Sequence, residues 1–451
     1  MKKKLTTTVT VLMIFSVAFS QLNIDGQYRS RGEIRNGFKK PILNGQEPGA
    51  FIEHRARLIT NYKKEKIGFR FSVQDVRIWG ETGQINKSDQ LLSVHEAYGD
   101  YYASEKSTFR IGRQEMIYDD HRVIGSLDWA MQARSFDAVR YMYKDESGNQ
   151  FDLMASWNQA GYGDGSPEPA KLVGNNYTIM SGGGANPRIF NLPLPKNQLM
   201  AYYKKTFGSG DIGVMLLNDL YNSNDSTTET HSNFTLGISP NLKFDELKIG
   251  GQFYYTGGAA GKMYNGSEYK NIDLSGIMFN IYVQHLGITG KPLIGVDYLS
   301  GDDETTGDKV EGWAPKYGTN HKFYGFMDYF YVGNPHGGAD ANSAGLMDIY
   351  LKTAFKLCEK TNLLGHLHYF SSTAERTNGT SGESYKGGLG TELDLVLVHK
   401  LAPEIVLKAG YSQMFGITDT MKQLKFGNPD KEIQGMQSWG WVMIAFTPKL
   451  M

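Results

Sequence analysis

The chain has 451 residues, with 47 basic and 47 acidic side chains, 53 glycines, 27 tyrosines, 23 phenylalanines and only 14 prolines. Its mean hydropathy is polar at −0.41, and the balanced charge gives no reason to expect a nucleic-acid partner. Beyond the N-terminal segment no apolar run is long enough for a membrane helix, and the lone Cys358 excludes an intramolecular disulfide framework.

Residues 1–20 have the form of a secretory signal: a basic MKKK start, an apolar run from Val9 to Phe19 too short to span a bilayer, and a small-x-small site at Ala18-Phe19-Ser20. Cleavage there is expected to start the mature chain at Gln21, with residues 21–451 forming one domain.

The first strand follows at once. LNIDGQYRSRGEIRNG, residues 22–37, places Leu22, Ile24, Tyr28 and Ile34 on one parity and Asp25, Arg29, Arg31, Glu33 and Arg35 on the other. Period-two alternation marks a strand with two unlike faces. Comparable stretches recur at 51–62, 67–74, 96–103, 109–114, 137–144, 151–159, 199–207, 212–219, 234–239, 247–255, 275–284, 293–300, 346–356, 362–370, 389–398, 404–413 and 439–446, eighteen in all. Connections after even-numbered strands are short and polar, as in KKEK at 63–66 and SEKS at 104–107. Those after odd-numbered strands are mostly long, notably 38–50, 115–136, 160–198, 301–345 and 414–438.

This pattern predicts an all-β fold, a transmembrane antiparallel β-barrel of about 18 strands with short periplasmic turns and long extracellular loops, in the outer membrane of a Gram-negative bacterium. Its apolar parity would face lipid and its polar parity the lumen. Tyr28, Tyr62, Tyr101, Tyr143, Trp157, Tyr255, Tyr298 and Trp441 are then expected on the outer face near strand ends, where amphipathic rings favour the headgroup zone. Outer-membrane lipid and the barrel-assembly machinery are the partners such a chain requires, and a monomer is expected.

Arginine is unevenly distributed: of fourteen, only Arg188 and Arg376 follow residue 141. The expected pore-lining set is Arg29, Arg31, Arg55, Arg57, Arg70, Arg110, Arg113 and Arg140, with Glu33, Glu53 and Glu96 among them. Guanidinium groups stay charged and fork onto carboxylates, so a wall of them lowers the barrier for anions. The alternative is that these arginines pair with lumen carboxylates and merely fill the interior. Asp348, Glu392 and Asp394 share lumen parity on later strands, mixed with Lys352 and Lys408.

His366 and His368, two apart in GHLHYF, share a face and would chelate a metal if a third ligand were near; the sequence assigns none, so ordinary lumen packing is expected. The acidic stretch GDDETTGD at 301–308 offers Asp302, Asp303 and Asp308 to Ca²⁺ without EF-hand spacing, and a solvated loop is the preferred reading. No other cofactor is expected. There is no nucleophile elbow or HExxH motif, and His54 is the one outward histidine a lipid-modifying enzyme would have. The loop 160–198 carries Pro167, Pro169, Pro187, Pro193 and Pro195, which stiffen it; it is expected to reach into the lumen and narrow it.

The segment FRIGRQEMIYDDHRVIGSLDWAMQARSFDAVRYMY, from Phe109 to Tyr143, resembles the alginate-export family of outer-membrane barrels. The resemblance rests on GRQ at 112–114, DDHR at 119–122 and RSFDAVR at 134–140. It implies an eighteen-stranded barrel with an arginine-lined, electropositive constriction that passes an anionic polyuronate. The resulting expectation is a porin-like channel, not an enzyme, for anionic solutes such as uronate-containing saccharides, alginate among them. The alternative is a plugged barrel whose loops bind a surface partner or glycan.

Overall fold

The computed structural model describes residues 21–85, 92–158, 195–222, 230–264, 269–332, 343–378 and 381–451. The expected signal segment and nearly all of loop 160–198 lie outside the described residues.

Eighteen long strands form, one for each alternating stretch. They are β1 (Leu22–Asn36), β2 (Gly49–Lys64), β3 (Ile67–Ile78), β4 (Leu92–Tyr102), β5 (Ser107–Gln114), β6 (Phe136–Lys144), β7 (Gln150–Trp157), β8 (Asn197–Phe207) and β9 (Gly210–Asn222). The second half comprises β10 (Thr230–Phe244), β11 (Leu247–Tyr264), β12 (Tyr269–His285), β13 (Leu293–Leu299), β14 (Leu346–Cys358), β15 (Thr361–Ser371), β16 (Gly388–Ala402), β17 (Ile405–Phe415) and β18 (Gln437–Phe446). Each pairs antiparallel with its neighbour, and β1 pairs with β18, setting Gly32 opposite Val442, so the sheet closes without an edge. One loop helix, α1 (Asp419–Phe426), is capped by the Thr418 hydroxyl, which accepts from the Met421 amide at 3.2 Å, and ends at Gly427 with φ 65°.

The faces sort as the alternation requires. Leu58, Phe69, Phe71, Ile111, Val139 and Leu236 are exposed on the outer wall, an apolar belt that only acyl chains can cover. Arg29, Arg31, Glu33, Arg55 and Arg57 are buried inside. Tyr101 and Trp157 stand outward as expected. Trp441 does not: it lies opposite Glu33 on the lumen side, packed against Trp129 and Trp439. Strand β18 is apolar on both parities (Trp439, Trp441 and Met443 against Val442 and Ile444), so hydrophobicity alone could not choose its face.

The same ambiguity runs through β7–β13 and has one cause. The described parts of two long loops, 115–135 and 300–345, fold into the barrel instead of standing in solvent. Met116, Ile124 and Met131 from loop 115–135, and Tyr324, Met327, Tyr329 and Phe330 from loop 300–345, are buried within the cluster that contains the wall residues Met154, Met200, Met215, Leu217, Met278 and Leu299. Part of the lumen is therefore a hydrophobic core. Removing these surfaces from water, at roughly 25 cal/mol per Å² of apolar area, is what draws the loops inward.

Candidate functional site

The GRQ stretch that opens loop 115–135 is built for close packing. Gly112 has φ 127°, and a Cβ there would lie 2.3 Å from the Ala97 carbonyl oxygen on β4. Gln114 is buried, its amide donating to the carbonyls of Gly112 and Ala138 at 3.2 and 3.1 Å. These contacts fix where the chain leaves β5 and returns on β6.

From there the loop crosses the lumen and anchors on the far wall. Asp119 accepts hydrogen bonds from Tyr202 on β8 at 2.7 Å, Ser239 on β10 at 3.1 Å and Tyr254 on β11 at 3.3 Å. Burial pushes its carboxyl up, while those hydroxyls oppose the rise. Arg122 pairs with Asp297 on β13 at 2.8 Å and donates to the Tyr324 hydroxyl of the second inserted loop at 3.2 Å. Arg134 donates to the carbonyls of Tyr317 and Gly318, tying the two loops together. DDHR and RSFDAVR thus encode anchorage of the insert.

The near end of the insert lies on the arginine wall. Arg29 and Arg55 are paired across β1 and β2, and both reach Asp128: Arg29 Nη1 at 3.3 Å, Arg55 Nη2 at 2.8 Å. Arg29 also donates to the Asp128 carbonyl at 2.7 Å, Arg31 to that of Trp129 at 3.0 Å and Arg55 to that of Met131 at 3.0 Å. The Arg31 guanidinium covers the Trp129 ring at 4.0 Å. Partial burial works against the charge of Asp128, but Arg55 and Arg29 hold its carboxyl below the usual range. Half of that side chain, 50%, remains accessible, so lumen water reaches the fork.

The other expected arginines divide into compensated and outward groups. Arg31 is held by Glu33 and Glu53, and Arg35 by Glu33 at 2.8 Å. Arg70 pairs with Glu96, Arg110 with Asp100 at 2.7 Å, and Arg140 with Asp152 at 2.6 Å. Arg57 forks onto Gln74 at 2.7 and 3.0 Å and lies 3.9 Å from Glu115. Arg113 is corrected: it stands on the outer wall, 41% exposed and bonded to Asp137 at 2.9 Å, because it shares parity with Phe109 and Ile111. Positive charge in excess of carboxylate therefore gathers at Arg29, Arg55 and Arg57, with Lys408 in the same electrostatic neighbourhood.

Above this cluster, at the extracellular mouth, a cavity of about 580 Å³ is lined by Arg35, Phe38, Lys40, Lys425, Phe426 and Lys431 among others. Among the described residues, no acidic side chain lines it. Arg35, Arg31 and Arg29 share the lumen parity of β1, with Glu33 between the first two, so the steps inward are four residues, about 13 Å, and then two, about 6.7 Å. Cations run from the mouth cavity to the Asp128 fork.

Two smaller expectations resolve by geometry. Both ring nitrogens of His54 are engaged, Nε2 with Asp75 at 3.3 Å and Nδ1 by the Trp79 indole at 2.8 Å, which leaves none to activate its cross-strand neighbour Ser30. In the 301–308 loop, Asp302 accepts from the Glu304 and Glu311 amides at 2.7 and 2.9 Å, and Asp303 from the Thr305 amide and hydroxyl at 3.0 and 2.7 Å. These carboxylates act as turn caps.

Sequence reasoning did not find Asp128 or Trp129, and it marked Asp119 and Arg122 only as part of the DDHR resemblance, with no anchoring role. The available signal was composition: Met116, Tyr118, Val123, Ile124, Trp129 and Met131 are too apolar for a solvated loop.

Comparison with known proteins agrees with this architecture. A family model described as alginate export matches residues 20–159, about a third of the chain, which ends with β7. No curated protein matches the sequence. Among solved structures, OccK8 (OprE) of Pseudomonas aeruginosa superposes with a TM-score of 0.57 at 8% identity, covering 95% of this chain and 98% of its own. OccAB4 of Acinetobacter baumannii gives 0.57 at 10% identity, covering 95% and 98%. A BenF-like porin from Pseudomonas fluorescens Pf-5 gives 0.57 at 12% identity, covering 95% and 99%. At these identities the likeness is one of fold.

Proposed function

From a porin-like barrel of the Gram-negative outer membrane whose first seven strands match the alginate-export family, we propose a channel for anionic solutes, with uronate-containing saccharides as the substrate class. The observation that carries the proposal is the Asp128 fork. A carboxylate from the chain's own loop rests on two arginines from adjacent strands, with Arg57 and Lys408 near, and stays accessible to lumen water. A uronate presents the same group and would compete for the same donors.

The acid-free mouth cavity supports this reading. Arg35, Lys40 and Lys431 raise the local concentration of an approaching anion, and Phe38 and Phe426 offer faces on which a sugar ring can pack. Loop 115–135 then acts as the gate, because passage along this wall requires Asp128 to yield its arginines. The prolines of loop 160–198, nearly all of which lies outside the described residues, are the basis for proposing that this loop also narrows the lumen. The compensated pairs Arg70–Glu96, Arg110–Asp100 and Arg140–Asp152 are wall structure in this account and not selectivity elements.

The test is the reversal potential of the purified barrel in a planar bilayer under a salt gradient. Anion preference that weakens as ionic strength rises, with current block by an oligouronate and not by its neutral analogue, is the expected result. Cation preference, or no conductance from folded protein, refutes the reading.

A further inference from the structure

The stretch of wall formed by β15 and β16, separated from β1 by β17 and β18, holds a group of side chains that channel function does not use. His366 and Asp394 face each other across β15 and β16, and His368 lies one pleat further along the same face. Among the described residues these are the only cluster of three or more metal-capable side chains, with one ligand atom from each lying within 4.8 Å of the others. Asp394 is 1% exposed, and neither of its oxygens meets a donor in full hydrogen-bond geometry, although the Ser412 hydroxyl and the Glu392 carboxyl lie beside it. The Nδ1 of His366 is buried and unpartnered. A buried carboxylate short of well-formed hydrogen bonds beside an unpartnered ring nitrogen carries a desolvation cost that packing alone does not repay.

The orientation of His368 is fixed by a second carboxylate. Its Nδ1 meets both oxygens of Asp348 at 2.9 Å, which sets the proton on that nitrogen and leaves the Nε2 lone pair free. That Nε2 lies 3.9 Å from Asp394 Oδ2, too far for a hydrogen bond between them but suited to a shared ion. Tetrahedral zinc, with bonds of about 2.0–2.1 Å, sets its ligands roughly 3.4 Å apart, so small side-chain rotations close the site.

We propose that His366, His368 and Asp394 bind a divalent transition-metal ion, zinc by ligand chemistry, with Asp348 orienting His368 from behind. Two imidazoles and one carboxylate favour zinc over the hard cations calcium and magnesium. The site sits under Phe326 and Met327 of loop 300–345: the Phe326 ring is 5.0 Å from that of His366, and the Met327 amide donates to Glu392, two residues from Asp394, at 2.8 Å. Lys352, across from His366 on β14, is the cation that would otherwise balance this wall.

The test uses the full mature chain refolded in detergent and stripped with a chelator. Titration with Co²⁺ should give one ion per chain and the visible absorption of a tetrahedral nitrogen–oxygen site, bleached by Zn²⁺. His366→Gln and Asp394→Asn should each weaken binding at least about tenfold, and Asp348→Asn by about 10- to 100-fold through misorientation of His368. His366 is only partly buried, so His366→Gln decides the matter if Asp394→Asn fails to fold. Absence of stoichiometric binding by folded wild-type protein, which would mean that Lys352 alone balances the charge, overturns the proposal. So does binding unchanged in His366→Gln.

Discussion

Arg29 and Arg55 lie directly opposite each other on adjacent strands, two like charges at one height, and a single carboxylate, Asp128, is shared between them. Cross-strand pairs of like charge are unfavourable unless something neutralises them, and here the neutraliser sits on a loop that enters from β5. Asp128→Asn should therefore shift the reversal potential further toward anions and loosen loop 115–135. Arg55→Glu should shift it toward cations, with both effects shrinking at high salt. Unchanged selectivity in both variants would mean that this cluster is structural filler.

Arg31 makes the opposite case. It lies between Glu33 and Glu53 and beneath the Trp129 ring, so its charge is spent locally. Arg31→Met should leave selectivity nearly unchanged. It should destabilise the barrel by about 3–5 kcal/mol, because Glu53 loses this partner inside the wall while Glu33 keeps Arg35 and Trp439. The check is the urea midpoint of the heat-modifiable folded form beside the bilayer measurement; a selectivity change as large as that of Arg55→Glu would contradict the division drawn here.

How far the sequence could be read follows from these residues. The strands were legible because lipid demands an apolar outer parity at nearly every stave, as in Leu58, Phe69 and Ile111. Arg113 was legible too, since Phe109 and Ile111 fix its parity outward, and including it in the pore set passed over that rule. Trp441 was not, because a lumen packed by inserted loops accepts apolar residues as readily as lipid does. Asp128 and Asp119 were illegible for another reason: their partners lie on strands about 70 to 135 residues away, and alternation carries no information on which loop turns inward. Asp394 became a third ligand for His366 and His368 only once the register of β15 against β16 was known.

Lys425 gives a pH dependence. It lies on α1, donates to the Tyr329 carbonyl of the second inserted loop, and burial, with Lys40 adding repulsion, pulls its ammonium down from 10.5 to about 7. A cation whose pKa is lowered on docking releases a proton as it docks between those two values, so docking of α1 strengthens as pH rises from about 7 to 10.5 and is flat below 7. Hydrogen exchange over residues 419–427 should slow relative to the intrinsic rate across that window, by up to about tenfold per pH unit. Lys425→Met should abolish the slope; a slope that persists assigns it to another group.

The second inserted loop sets the last prediction. Tyr324, Met327, Tyr329 and Phe330 are buried where solute would pass, so replacing residues 319–331 with a short Gly-Ser linker should raise single-channel conductance several-fold. The replacement removes the Met327 amide from Glu392, which would leave that carboxylate buried with no donor from the loop; Glu392→Gln is therefore made in the same variant to keep the wall foldable. Tyr317 and Gly318, which receive Arg134, are retained so that loop 115–135 keeps its tether. A parallel deletion of residues 165–190 tests the proline-stiffened loop, which is likewise expected to raise conductance. If only the 165–190 deletion does so, the narrowest point lies in that loop and the buried aromatics of 323–331 are packing. If only the 319–331 replacement does so, the limiting barrier is the apolar insert, and the arginine cluster selects among ions that have already passed it.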